Sequence, residues 1–243
     1  MIADIKGKLA RDGSNLHERV EDNLTGNVFG ALRYVPSSLG FVPIFRRAVW
    51  ECVPSVADRF RHCIDTMTST QPEVKFWHTL GDEGEIDVLI ETPNCVLGIE
   101  VKLDSGLSSD DQVDHSTEGE ERTESGNQLA RYSRGLAFHF PDVQSRFLLF
   151  VSPVEMAWAV KDAVARKLIH PNVCIGSLTW QDVLESLEES DGSASDPYHK
   201  IVLSDLRDLL RSKGLEHFKG FTTQDFVSEA SFYYNSSERS PTT

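Results

Sequence analysis

The sequence has no apolar run approaching the ~18 residues that a bilayer-spanning helix needs, and its opening stretch, MIADIKGKLARDG, lacks the apolar segment of a signal peptide. A membrane partner is therefore not expected, and a cytoplasmic location is. Cysteine is scarce: the four residues Cys52, Cys63, Cys95 and Cys174 are scattered, with no CxxC pair among them. That spacing argues against a zinc ribbon or a disulfide framework and for free thiols in a reducing compartment. Several catalytic signatures are missing as well. There is no GxxxxGK[ST] phosphate loop and no GxSxG, while His17-Glu18 has no second histidine to complete HExxH. None of the eight histidines forms a metal-spaced pair, and no internal repeat is present.

Basic residues are also in deficit. Lys and Arg number 24 against 38 Asp and Glu, a net charge of −14. Phosphate contacts demand cations, so this balance argues against a simple nucleic-acid binder. The deficit is concentrated, however. Residues 104–124 hold eight acids (Asp104, Asp110, Asp111, Asp114, Glu118, Glu120, Glu121, Glu124) and one base, Arg122, giving −7, half of the total. Their Ser, Asp, Glu and Gly content predicts a mobile loop without a core of its own, and no EF-hand spacing is present in it. The loop is expected either to imitate a nucleic acid's charge and restrain the protein or to recruit a basic partner. Exchanging residues 106–123 for a short Gly/Ser linker should then raise DNA affinity and cleavage at low salt. The gain should shrink as salt rises, and an unchanged rate at low ionic strength would make the loop a mere spacer.

The chain as a whole has the length and the 40% hydrophobic content of one large globular domain, expected over 1–235 with a frayed tail at 236–243. Residues 1–33 look helical: Ser14 is a candidate N-cap, and Leu16, Val20, Leu24, Val28 and Leu32 form one stripe. A second helix is expected from about Ile44 to Phe60, interrupted before Pro54. Val74–Leu80, Glu85–Thr92 and Cys95–Leu103 are short, β-branched and separated by turns, which predicts a three-stranded antiparallel meander. A helix over Gln128–Phe140 and a buried strand over Arg146–Val151 follow. Next come a helix at 156–168, a strand at Val173–Ser177 and helices at 180–189 and 197–213. This order predicts an α/β domain with a mixed central sheet flanked by helices.

Chemistry concentrates in GEIDVLIETPNCVLGIEVKLD, residues 84–104. If the hairpin turns at Pro93-Asn94, Asp87 lies opposite Glu100 and Glu85 lies opposite Lys102. Strand alternation then puts these four residues on one face, with Ile86, Val88, Ile90, Leu97, Ile99, Val101 and Leu103 on the other. Two carboxylates opposed across a ladder stand ~4.5–5.5 Å apart at Cβ and repel one another. A divalent cation with oxygen ligands answers that repulsion, whereas an exposed face of alternating charge is the plainer explanation. His78, on the first strand of the meander, could approach the site but reads more simply as an ordinary strand residue.

The Asp87 … Glu100-Val101-Lys102 spacing across a hairpin resembles the PD-(D/E)xK nuclease superfamily, although Ile86 stands where the motif's proline would be. Gln128 and Tyr132, one helical turn apart after the meander, resemble the Q-x-x-x-Y motif of one branch of that superfamily. Glu21 resembles its first-helix acid, a place that Glu18 or Asp22 could also fill. The resemblance spans about 130 residues. It implies a restriction-endonuclease-like fold and a DNA endonuclease (RNA remaining open) employed in prokaryotic or phage defence. Asp87, Glu100 and the Val101 carbonyl would hold Mg²⁺ or Mn²⁺. Lys102 would orient or deprotonate the attacking water, Glu21 would support the site, and Gln128, Arg131 and Tyr132 would meet the substrate. A homo-oligomer is compatible with this family. The alternative function is a catalytically reduced member of the fold, serving as a nucleic-acid-binding or scaffold subunit.

Overall fold

The computed structural model describes residues 16–52, 54–69, 72–104, 107 and 125–217. Ser14, the frayed tail and nearly all of the acidic segment lie outside the described residues. The elements in chain order are α1 (Leu16–Leu32), α2 (Phe41–Phe45), β1 (Val49–Trp50), α3 (Pro54–Thr66), β2 (Glu73–Thr79), β3 (Glu85–Glu91) and β4 (Cys95–Val101). They continue with α4 (Gln128–His139), β5 (Ser145–Ser152), α5 (Trp158–Ala165), β6 (Cys174–Thr179), α6 (Trp180–Asp191) and α7 (Pro197–Ser212). No described helix is long and apolar enough to cross a membrane.

The strands form a mixed six-stranded sheet in the order β1-β6-β5-β4-β3-β2. The expected meander β2-β3-β4 is antiparallel, whereas β4, β5 and β6 run parallel through crossovers that carry α4 and α5. Both sheet faces are covered, so the central strands are apolar on both sides. On one face Val88, Ile90, Leu97, Ile99, Val101, Phe147, Leu149 and Val151 pack against α1, α3, α6 and α7. On the other, Leu89, Val96, Leu148 and Phe150 pack against α4 and α5. Consecutive residues of β5 alternate between the two clusters, as period-two pleating requires.

Two expectations need correction here. The span from Ile44 to Phe60 is not one helix: it holds the end of α2, the edge strand β1 and the start of α3. A two-residue strand has no periodicity to detect, and β1 exists only because β6 lies beside it (Val49↔Ser177, Trp50↔Gly176). Ile86 is also not on the face of Val88 and Ile90. It joins the α4 side, with Leu136 and Leu80. The change of face occurs where Trp77, between the pairs Phe76↔Val88 and His78↔Ile86, adopts φ 49°. Left-handed backbone at a bulky residue is strained and persists only when its surroundings hold it. Here the indole N–H donates to Asp22 on α1 at 3.0 Å.

The seating of α4 depends on two glycines. A Cβ at Gly98 would stand 2.5 Å from Ile86 Cδ1 and 3.0 Å from Leu136, and one at Gly135 would stand 2.8 Å from Leu80 Cβ. Without side chains there, the helix lies close on β4 and β3. Arg134 clamps it with a two-pronged bond to Glu83 at 2.8 Å on each arm, in the turn before β3.

Candidate active site

The Pro93-Asn94 turn sets the β3–β4 register as expected, with Glu91↔Val96, Ile90↔Leu97, Leu89↔Gly98 and Val88↔Ile99. Regular pairing ends there. One step further Asp87 turns its side chain to the partner strand, and its Oδ2 accepts the Val101 N–H at 2.8 Å. The N–H and C=O of a strand residue point the same way, so the Val101 carbonyl faces β3 as well. Glu85 does not pair with Lys102: it continues the ladder with Thr79 of β2, while Lys102 N–H donates to Val151 O on β5 at 2.8 Å. The strands separate because Asp87 inserts its carboxylate between them.

Glu100 is 1% exposed and Lys102 6% exposed, so an open charged sheet face is ruled out. Lys102 Nζ bridges Glu100 Oε1 at 2.8 Å and Glu21 Oε1 at 3.0 Å. The other Glu21 oxygen accepts the Leu103 N–H at 2.9 Å. Of the first-helix acids, Glu21 reaches the site, Asp22 is engaged by Trp77, and the Glu18 side chain lies outside the described residues. At the other side of Glu100, Asn127 caps α4 by accepting from Leu129 and Ala130 N–H, which places Gln128 at the first helical position. Its amide donates to Glu100 Oε1 at 2.7 Å and to the Tyr132 hydroxyl at 3.0 Å. Gln128 and Tyr132 are both buried and grip Glu100 from one helix face. Arg131 is half-buried over the Tyr132 ring, 5.8 Å from its centroid, and its Nε has no hydrogen-bond partner among the described residues.

Two donors, Lys102 Nζ and Gln128 Nε2, therefore serve Glu100 Oε1, while Glu100 Oε2 is buried with no donor among the described residues. Burial, then the neighbouring Glu100 charge, pushes Asp87 well above the usual carboxylate range. Burial raises Glu100 to about 7 against the opposing pull of Lys102. Lys102 itself is held above its ordinary value, because the pull of Glu100 and Glu21 exceeds the cost of burial. A half-buried Asp87 beside a buried Glu100 with an unpartnered oxygen favours a proton or a cation at the pair. The donor set, carboxylate oxygens and a nearby carbonyl, fits a hard divalent ion such as Mg²⁺ or Mn²⁺.

This pair makes metal-free stability depend on pH. Its raised values mean that the folded state binds protons more tightly than the unfolded chain. The Glu100 contribution is therefore complete below about pH 4.5 and is lost as pH rises through about 7, and the raised Asp87 contributes with the same sign. For Glu100 this amounts to on the order of 3 kcal/mol. In EDTA the urea midpoint should fall between about pH 5 and about pH 8 more steeply for the wild type than for Asp87→Asn, and Mn²⁺ should restore it at the higher pH. Equal slopes for the two proteins would disconnect the pair from stability.

Two features were not singled out from the sequence. Trp180, fully buried, donates its indole N–H to the Lys102 carbonyl at 2.8 Å. Its place at the head of α6 follows from the Thr179/Asp182 capping box; a box is visible in sequence, but its distant target is not. Asp182, Glu185 and His217 form a second group whose donor atoms lie within 4.8 Å of one another. Asp182 is engaged in the capping box and Glu185 in a pair with Arg47 at 3.0 Å. His78 pairs with Ile86 and lies against the Phe140 ring, and among the described residues no hydrogen bond or ion pair joins it to Asp87 or Glu100.

None of the family models, curated proteins or solved structures compared with this chain matches it.

Proposed function

We propose that this protein is a metal-dependent phosphodiesterase: a nuclease of the PD-(D/E)xK type with a restriction-endonuclease-like fold, acting on DNA, in the setting of prokaryotic or phage defence. The observation that carries the reading is the meeting of half-buried Asp87 and buried Glu100 across the β3–β4 hairpin, with Lys102 bonded to Glu100 and one Glu100 oxygen without a donor among the described residues. Asp87 and Glu100 would hold Mg²⁺ or Mn²⁺, with the Val101 carbonyl on the same side. An ion bound there supplies charge to a phosphate oxygen and acidifies a coordinated water.

The chain's own groups do the remaining work. Lys102, kept protonated by two carboxylates, serves as a cation that orients the nucleophile and offsets charge on the phosphate, and its protonation disfavours a role as general base. Glu21 and Trp180 hold the Lys102 side chain and carbonyl in place. Gln128 keeps Glu100 turned toward the pocket, with Tyr132 behind it. Arg131, on the adjoining turn of α4, offers a guanidinium for a flanking phosphate.

The test is cleavage of fluorogenic DNA and RNA and of closed circular DNA, each with Mg²⁺, with Mn²⁺ and with EDTA. Metal-dependent cutting that EDTA abolishes is the expected result, and cutting of the circle marks an endonuclease. Intact substrates under every metal condition would overturn the reading and leave a non-catalytic nucleic-acid-binding or scaffold role.

A further inference from the structure

At the opposite end of the parallel strands from Glu100, the fold brings together two cysteines that lie 122 positions apart in the chain. The β1–β6 ladder pairs Val49 with Ser177 and Trp50 with Gly176. It continues one step further, because Glu51 N–H donates to Ile175 O at 3.1 Å. β1 itself ends at Trp50, but carrying the register one step past Glu51 would bring Cys52 opposite Cys174, and the two thiols do adjoin. In an antiparallel ladder hydrogen-bonded and non-hydrogen-bonded pairs alternate. Since Glu51 N–H donates to Ile175 O, the same alternation would give Cys52 and Cys174 the non-hydrogen-bonded position, where Cα atoms approach to roughly 4.5 Å. That separation lies within the range a disulfide can span. Both side chains are on the same sheet face as Trp50, whose ring covers Gly176, and both line one cavity of about 550 Å³.

The two thiols differ in access. Cys52 is half-buried, whereas Cys174 is 8% exposed. Burial and then the adjoining Cys52 thiol raise Cys174, while Arg59, on the wall of the same cavity, acts in the opposite sense. An oxidant entering the cavity therefore meets Cys52 first.

From this arrangement we infer that Cys52 and Cys174 are an oxidisable pair that a hydroperoxide converts to an intramolecular disulfide. In the first step the Cys52 sulfur attacks the peroxide oxygen, the O–O bond breaks, and Cys52 sulfenic acid and one water form. In the second the Cys174 sulfur attacks the sulfenic sulfur, the S–O bond breaks, and the disulfide and a second water form. Overall two thiols lose two electrons and two protons to the peroxide. The bond would pin the short edge strand β1 to β6 and close a loop of more than a hundred residues, which restricts the unfolded chain. The second pair, Cys63 and Cys95, is buried in the core at 5% and 1% exposure, and neither lines that cavity.

The experiment uses the full chain, in the reduced state, exposed to hydrogen peroxide and then alkylated after unfolding and mapped without reductant. The expected product is a peptide pair joined through Cys52 and Cys174 that dithiothreitol separates. It should be absent from Cys52→Ser and present in Cys63→Ser. Oxidation should also raise Tm by several degrees in the wild type and leave Cys52→Ser unmoved. Recovery of both residues as alkylated thiols overturns the inference. So does a product in which Cys52 carries sulfinic acid beside a free Cys174, or one in which Cys52 links separate chains.

Discussion

Neutralising either Asp87 or Glu100 should end Mn²⁺ binding and DNA cleavage while leaving the metal-free protein as stable as the wild type or more so. Asp87→Asn and Glu100→Gln keep the shape of each side chain and remove its charge. Burial pushes both groups above the carboxylate range, with the Glu100 charge adding to it at Asp87, so removing a charge removes a desolvation cost. Loss of an inner ligand should exceed the ~10–100-fold penalty for removing an outer-shell partner. Titration calorimetry with Mn²⁺ and a cleavage assay on the same preparations measure the two effects. Thermal unfolding in EDTA supplies the third reading, at neutral pH or above, where the wild-type pair is most strained. Mn²⁺ affinity equal to wild type in both variants would show that the carboxylates hold no metal. A large drop in metal-free stability would make them structural.

Lys102→Met should separate metal binding from chemistry, at a measurable cost in stability. The methionine fills the path of the lysine stem, so Asp87 and the free oxygen of Glu100 keep their positions and Mn²⁺ still binds. Turnover should fall by about 10²–10³-fold, the usual consequence of removing one group that stabilises transition-state charge. Removing the ammonium leaves Glu100 and Glu21, both within 3.0 Å of it, without their shared cation. Breaking a buried ion pair from one side typically costs ~3–5 kcal/mol. The orphaned carboxylates can take up protons, so the loss should be smaller near pH 5 than near pH 8. Urea unfolding at both values, with single-turnover cleavage at the higher one, reads both effects. A variant that turns over like the wild type would reduce Lys102 to an internal salt bridge.

The strands carrying the site were legible because short β-branched runs alternate with strong turns. Pro93-Asn94 set a hairpin register in which four observed pairs agree with expectation. Gln128 and Tyr132 were legible as neighbours because one helical turn separates them, and the helix begins where Asn127 can cap it. The β1 edge strand was not legible: two residues carry no period, and only β6 gives them partners. The face of Ile86 was misjudged because alternation assumes uniform pleating, and Trp77 with its left-handed backbone breaks it.

What the sequence determined by itself is local: which segments become strands and helices, and which carboxylates and which lysine stand across one hairpin. Each follows from spacing, turn chemistry or a cap within a few residues. What only the tertiary structure decided is the state of those groups. Glu21 reaches Lys102 from 81 positions away and Trp180 reaches its carbonyl from 78 positions away. Their meeting depends on how α1 and α6 pack on the sheet. Burial followed from the same packing, because α4 settles onto Gly98 and covers Glu100 with Gln128. Charge in a strand pattern reads the same whether the face is wet or dry. Closing the helices over it turned a row of ordinary ionisable residues into two adjoining carboxyls held above the usual carboxylate range.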